Sequence, residues 1–157
     1  MLIEPSEADL TAPRFAFLVA EGKCWKCHVS SSMSAIWLPS YIEIDHEHGE
    51  HETVRDAVVL HYVGALSEDI WQQWEKVAPW IRYAHTEGSG SSYFANHCRA
   101  CSVIQGDWFV FGVDGPFFPQ TAAEVKSIQL LPGTGEFYGC ASPSVSAWMS
   151  RLEGATS

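Results

Sequence analysis

The sequence predicts an α+β domain: a small mixed or antiparallel sheet with one main helix, clamped by a four-cysteine metal site. Three observations predict it. Four cysteines form two Cys-x-x-Cys pairs, Cys24-Trp25-Lys26-Cys27 and Cys98-Arg99-Ala100-Cys101. The insertion between the pairs, residues 28–97, holds most of the recognisable strands and the best helix pattern. With 157 residues, 46% of them apolar, the chain suits one domain with its own core, so residues 1–157 are read as a single unit.

The elements follow in order. Residues 1–13 read as a polar lead-in ending at Pro13. Arg14 to Ala20 is a short apolar strand feeding the first cysteine pair. Met33 to Leu38 is a second strand, stopped by Pro39, and Tyr41-Ile42-Glu43-Ile44 alternates as its continuation after a kink. Asp45 to Glu52 reads as an acidic, histidine-rich loop. Ala57 to Val63 is a buried strand. The main helix spans Ser67 to Ala78: Ser67 suits its cap, Glu68 and Asp69 suit the positive end of its dipole, and Ile70, Trp71, Trp74 and Val77 share one face. Pro79 ends it. Trp80 to His85 and Ser91 to Ala95 form a hairpin about Gly88-Ser89-Gly90 and run into the second pair. A helical turn over Asp107 to Phe111, a strand over Glu124 to Leu131 and a terminal helix over Ser144 to Leu152, capped by Ser144, complete the reading.

Net charge is −10, from 19 acidic and nine basic residues. No basic run exists, which disfavours a phosphate-binding surface. The first twenty residues lack a basic start and a long apolar run, and no stretch reaches membrane-span length. The cytoplasm is therefore the expected compartment. Reduced thiols there favour metal over disulfides.

Two matched pairs are the ligand set of a tetrahedral structural Zn²⁺ bound by Cys24, Cys27, Cys98 and Cys101. Such a site leaves no position open for water, so it stabilises a fold and activates no nucleophile. Iron suits the same four-sulfur cage. Lys23, Lys26 and Arg99 lie close enough in sequence to offset the charge of four thiolates. His28 and His97 adjoin the pairs; either has the chemistry to replace one thiolate as ligand, and both are expected rather beside the metal, as hydrogen-bond partners of the sulfurs. Cys24 to His28 also matches the c-type haem pattern Cys-x-x-Cys-His, but that reading leaves Cys98 and Cys101 without a role. Neither pair has the strand-to-helix context of a thioredoxin-like redox site. Cys140 reads as a small buried side chain.

Other candidates are weaker. His46-Glu47-His48-Gly49-Glu50-His51 does not have the spacing of His-Glu-x-x-His and reads as a solvated acidic turn. Gly88-Ser89-Gly90-Ser91-Ser92 lacks the Lys of a phosphate loop, and no Gly-x-Ser-x-Gly elbow occurs. In Gly115-Pro116-Phe117-Phe118-Pro119 at least one phenylalanine is expected to be buried.

The segment from Asn96-His97-Cys98 through Cys101 to Gln105-Gly106-Asp107-Trp108-Phe109, then Gly115-Pro116-Phe117, resembles a recurrent bacterial and phage pattern. An upstream Cys-Trp/Tyr-Lys-Cys accompanies that pattern, as Cys24 to Cys27 do here. The resemblance is to a small family of zinc-ribbon-like proteins with split cysteine pairs. It covers the two pairs and about twenty residues after the second, and implies metal ligands and no activity. Gln105-Gly106-Asp107 is expected to fix the turn after the second pair, with Asp107 capping the helical turn behind it.

The leading expectation is thus a non-enzymatic, cytoplasmic zinc-binding protein that works through protein contacts. Its acidic charge suits a basic partner surface, as in a phage or mobile-element inhibitor or regulator. One alternative is an enzyme using His46, His48, His51, His61 or His85 with nearby carboxylates. Another is nucleic-acid binding through aromatic stacking near Lys23, Lys26 and Arg99.

Overall fold

A computed structural model describes residues 1–154. Strands and helices follow in chain order: β1 (Leu2–Ile3), β2 (Leu10–Ala12), β3 (Ala16–Lys23), β4 (Ser30–Leu38), β5 (Tyr41–Asp45), β6 (Glu50–Val54), β7 (Val58–Ser67), α1 (Glu68–Val77), β8 (Ile81–Thr86), β9 (Ser91–His97), β10 (Ile104–Gln105), α2 (Asp107–Val110), α3 (Ala122–Lys126), β11 (Gln129–Pro132), β12 (Phe137–Ser144) and α4 (Ala147–Gly154). A nine-stranded sheet runs β11-β3-β4-β7-β12-β2-β5-β6, with β1 adding in parallel to β7. A separate three-stranded sheet runs β10-β9-β8. Apart from β1 with β7, every pairing is antiparallel. The architecture is mostly antiparallel sheet with few helices, and the main sheet is larger than the small one expected.

The large sheet is covered on both faces, which explains the unbroken apolar runs of its central strands. Successive strand side chains point to opposite sides. Phe17, Ile36 and Leu38 pack with Ile70 and Trp74 of α1 and with Phe94 of the small sheet. Their neighbours Leu18, Met33, Ala35 and Trp37 pack on the other side with Val110, Val125, Trp148 and Leu152. A sheet with one wet face would show polar residues at every second position. Full burial of one such side chain stabilises by roughly 1.5–3 kcal/mol. Truncating Phe17 to alanine costs about 3–5 kcal/mol, because the opened cavity adds to the lost transfer energy.

The helix α1 lies where its periodicity places it. Ile70 and Trp74 are buried, Trp71 and Val77 pack against the same core, and Glu68 and Asp69 occupy the first turn. Ser67 holds the cap position with extended backbone, but its side chain makes no capping bond.

Four sequence expectations change. The lead-in is structured: Leu10 and Ala12 are buried, and β2 pairs with both β12 and β5. The Asp45–Glu52 loop is the turn of a β5–β6 hairpin, whose strand β6 is polar because both its faces meet water. The expected strand over Glu124–Leu131 begins as helix α3, capped by the Thr121 side chain accepting from the Glu124 N–H, and only then becomes β11. Ser144 ends β12 rather than capping α4. Among the described residues, no helix is long and apolar enough to cross a membrane.

Candidate metal centre

The two cysteine pairs sit at the tips of two hairpins, one from each sheet. β3 and β4 pair from Ala16↔Trp37 out to Lys23↔Ser30, and residues 24–29 turn between them. β9 and β10 pair at His97↔Ile104, and residues 98–103 turn between those. The two turns have the same construction. The Cys24 N–H donates to the Val29 carbonyl (3.0 Å) and the His28 N–H to the Cys24 carbonyl (3.0 Å). In the second turn, Cys98 donates to Val103 (2.9 Å) and Ser102 to Cys98 (2.9 Å). The residue after each pair takes a left-handed backbone, with φ of 63° at His28 and 67° at Ser102. That reversal aims both sulfurs of a pair to one side, at a local conformational cost.

All four sulfurs converge. The Sγ atoms of Cys24, Cys27, Cys98 and Cys101 lie within 4.8 Å of one another. The Cys24–Cys101 and Cys27–Cys98 separations are both 3.7 Å. A tetrahedral zinc with Zn–S bonds of about 2.3 Å places its sulfurs about 3.8 Å apart. A disulfide requires about 2.05 Å, and all four cysteines are free. Separation and ligand chemistry therefore both fit one closed tetrathiolate site.

The surroundings favour sulfur anions. The Cys24 sulfur accepts the backbone N–H groups of Lys26 and Cys27 (3.4 Å each) and the Gln105 side-chain amide (3.3 Å). The Cys98 sulfur accepts from Ala100 (3.4 Å) and Cys101 (3.5 Å). Burial opposes charge on Cys24, but the N–H groups of Cys27 and Lys26 outweigh it and hold the thiol down to about 6. The Cys101 N–H likewise leads in holding Cys98 below the usual thiol range. At Cys27 an N–H from Val29 favours the thiolate, yet burial and the sulfurs of Cys24, Cys98 and Cys101 push the thiol up to about 11. Four sulfurs this close resist ionising together unless a cation sits among them.

Two buried amides hold the hairpin tips in register. Gln105, fully buried, follows the second turn and reaches the first: its carbonyl oxygen accepts the Trp25 N–H (3.3 Å) while its amide donates to Cys24. It does more than fix its own turn, the role expected from sequence. Asn96 ties β9 to β4 of the large sheet. Its Oδ1 accepts the Ser34 N–H (2.8 Å) and the Trp80 indole N–H (2.9 Å), and its Nδ2 donates to the Ser34 carbonyl (3.0 Å). A side-chain amide thus imitates one rung of strand pairing just before Cys98. Arg99 lies 5.3 Å from the centre of the Trp80 ring, so its guanidinium rests on that indole, the same indole whose N–H Asn96 holds.

The histidines beside the pairs are placed differently from each other. His28 is exposed at the left-handed position, and His97 is buried with Nδ1 facing the Ala95 carbonyl (3.0 Å). Among the described residues, neither hydrogen-bonds a sulfur; Gln105 does. Cys140 is half-buried on β12, away from the cluster, and burial pushes its thiol up. Of the phenylalanine pair, Phe117 is buried and Phe118 exposed.

The five histidines considered for catalysis do not form one cluster: His46 and His51 line an open pocket with Asp9, Glu43 and Asp45, and His61 and His85 lie elsewhere. His46 and His48 lie in the exposed β5–β6 turn and His51 lies on β6. His48 Nδ1 meets the Asp45 carboxylate (2.8 Å), the leading cause of the lowered Asp45 pKa. His46 lies between the Ala8 carbonyl (2.9 Å) and Asp9 (3.4 Å). His61 stacks on Phe111 with ring centres 3.9 Å apart, and His85 is exposed on β8. Comparisons with protein-family models, curated proteins and solved structures each returned no match.

Proposed function

We propose that this chain is a zinc-binding protein in which Cys24, Cys27, Cys98 and Cys101 hold one structural Zn²⁺, and that it acts by contact with a partner protein. The approach of four sulfurs to within 4.8 Å of one another carries the metal assignment. A site closed by four thiolates stabilises the joint between two sheets and offers no coordination position to a substrate. Contact function is supported by exposed aromatic side chains near the centre, Trp25 and Trp108, on a chain of net charge −10. Aromatic residues on a surface are common anchors of recognition, and a negative field favours a basic partner. An inhibitor or regulator that covers a basic surface of a nucleic-acid-binding protein fits this physics.

Elemental analysis of the purified protein tests the metal, with one zinc per chain expected and loss of it in Cys98→Ser. A sample free of metal, or a Cys98→Ser variant that retains it, refutes the site. Pull-down from a bacterial lysate against a charge-reversed control tests the contact function. Specific recovery of a basic protein supports it, and identical recovery by both baits rejects it.

A further inference from the structure

Beside the metal centre, on the side of Trp25, lies an open cavity of about 670 Å³. Four aromatic side chains line it: Trp25 of the first turn, Tyr62 of β7, Tyr93 of β9 and Trp108 of α2. Its ionisable lining consists of two carboxylates, Asp107 and Glu87, and the imidazole of His85, with neither lysine nor arginine among the described residues. We propose that this cavity binds an organic cation, an alkylated ammonium group seated among the aromatic rings and countered by the Asp107 carboxylate.

The walls are built and held. The Tyr62 and Tyr93 rings meet edge to face, 5.1 Å apart and at 84°, so they form two adjoining sides of a box. The Trp25 indole is fixed by its N–H donating to the Ile104 carbonyl (2.8 Å). Trp108 stands 87% exposed at the mouth, an arrangement that packing within this chain does not reward. Aromatic faces carry negative charge density, and several around one site attract a cation more strongly than a neutral group of equal shape.

The floor is unusual. Asp107 is buried, and the chain is distorted to meet it. β7 bulges opposite β12, where the pairing shifts between Cys140 and Ser142. Tyr62 there takes a left-handed backbone (φ 51°) and points its N–H at the Asp107 carboxylate (2.6 Å). The Asp107 N–H in turn donates to the Tyr93 hydroxyl (3.0 Å). Asp107 therefore does not cap α2, the role expected for it; it sits under two of the four aromatic walls. Bulges of this kind often re-aim side chains at functional sites. Burial also raises the Asp107 pKa to about 7, and a cation beside it would offset that penalty. The cavity borders both metal turns, through Trp25 and Val103, but none of the four cysteines lines it, so it is a separate assignment from the zinc.

Tryptophan fluorescence titration of the metal-loaded protein tests this, with zinc content and circular dichroism measured on the same sample. Choline is expected to bind about tenfold tighter than its neutral isostere dimethylbutanol. Trp108→Ala, an exposed position, is expected to weaken choline by about tenfold without changing the fold, and Asp107→Asn to weaken it as well. Equal binding of choline and dimethylbutanol, unchanged binding in Trp108→Ala, or no binding by folded, zinc-loaded protein overturns the proposal. A trimethyl-lysine peptide, run against the acetyl-lysine peptide, identifies the source. Tighter binding than choline assigns the site to a protein side chain; weaker binding assigns it to a free small-molecule alkylammonium. Either result requires the cation preference and so supports the site.

Discussion

The cysteine centre and the histidine-rich β5–β6 turn are both rich in metal-ligand residues, yet only one of them converges. In the turn, His48 pairs with its near neighbour Asp45, and His46 meets Ala8 and Asp9 just before β2, all at the surface. At the centre, two hairpin tips remote in sequence bring four sulfurs within 4.8 Å of one another, with buried Gln105 and Asn96 bridging them. Ligand-type residues crowded together in sequence make a charged turn. A site arises where rigid elements from different parts of the chain are forced to the same point.

That contrast can be broken or sharpened by experiment. The largest effect is expected from Cys98→Ser, which should abolish zinc retention and lower stability by several kcal/mol, read from denaturant unfolding. Retained metal would dissolve the distinction between the regions. Next comes Asn96→Ala. It strands the buried Ser34 and Trp80 donors and removes the strut before Cys98, so a loss of about 3–5 kcal/mol is expected. A loss below about 1 kcal/mol would show that core packing and the metal hold the two sheets together without this strut.

Asp107→Asn probes the buried wall beside the centre and has a pH signature. Burial lifts the folded pKa from 3.8 to about 7. Between those values the native state keeps a proton that the unfolded chain has released, so stability falls as pH rises through the window. Asparagine still accepts the Tyr62 N–H but carries no charge. The stability of Asp107→Asn relative to the parent should therefore grow by on the order of 2 kcal/mol from pH 5 to pH 8. A pH-independent difference would mean that Asp107 is ionised without penalty.

Gln105→Ala should keep the metal and cost about 1–2 kcal/mol. It should also shift the sulfur-to-cobalt charge-transfer band of the Co²⁺-substituted protein, because Cys24 loses a donor. An unmoved band would restrict Gln105 to packing. The smallest effect belongs to the triple variant His46→Ala, His48→Ala, His51→Ala. Zinc content should not change, and stability should move by less than about 0.5 kcal/mol. A fall in bound zinc would make the turn a second metal site.

Much of the centre was legible in the sequence because it is written locally. A Cys-x-x-Cys turn needs only a few residues, and its matched spacing reports the ligand set. The apolar parts of three strands, expected at 14–20, 33–38 and 57–63, and the helix expected at 67–78 were legible as well, since apolar runs and helical periodicity signal burial; the strands run on to Lys23, back to Ser30 and on to Ser67, where mostly polar or small residues carry no such signal. The lead-in strands, β6 and β12 were not. β2 is three residues long and borrows its neighbours from β5 and β12, while β12 carries Gly139, Ser142 and Pro143, which read as loop. α3 was missed because its five residues carry too little periodicity to separate helix from strand.

Taken alone, the amino-acid order determined which residues are able to bind metal, which runs must be buried and where the main helix begins and stops, because each of these depends on neighbours a few positions away. Only the tertiary structure decided that the sheet is wide and covered on both faces, that Gln105 and Asn96 serve as struts across the two hairpins, and that Asp107 lies beneath a box of aromatic rings. Those facts depend on contacts between segments tens of residues apart. No local pattern encodes such contacts; they follow from how the whole chain satisfies its apolar surface and its buried polar groups at once.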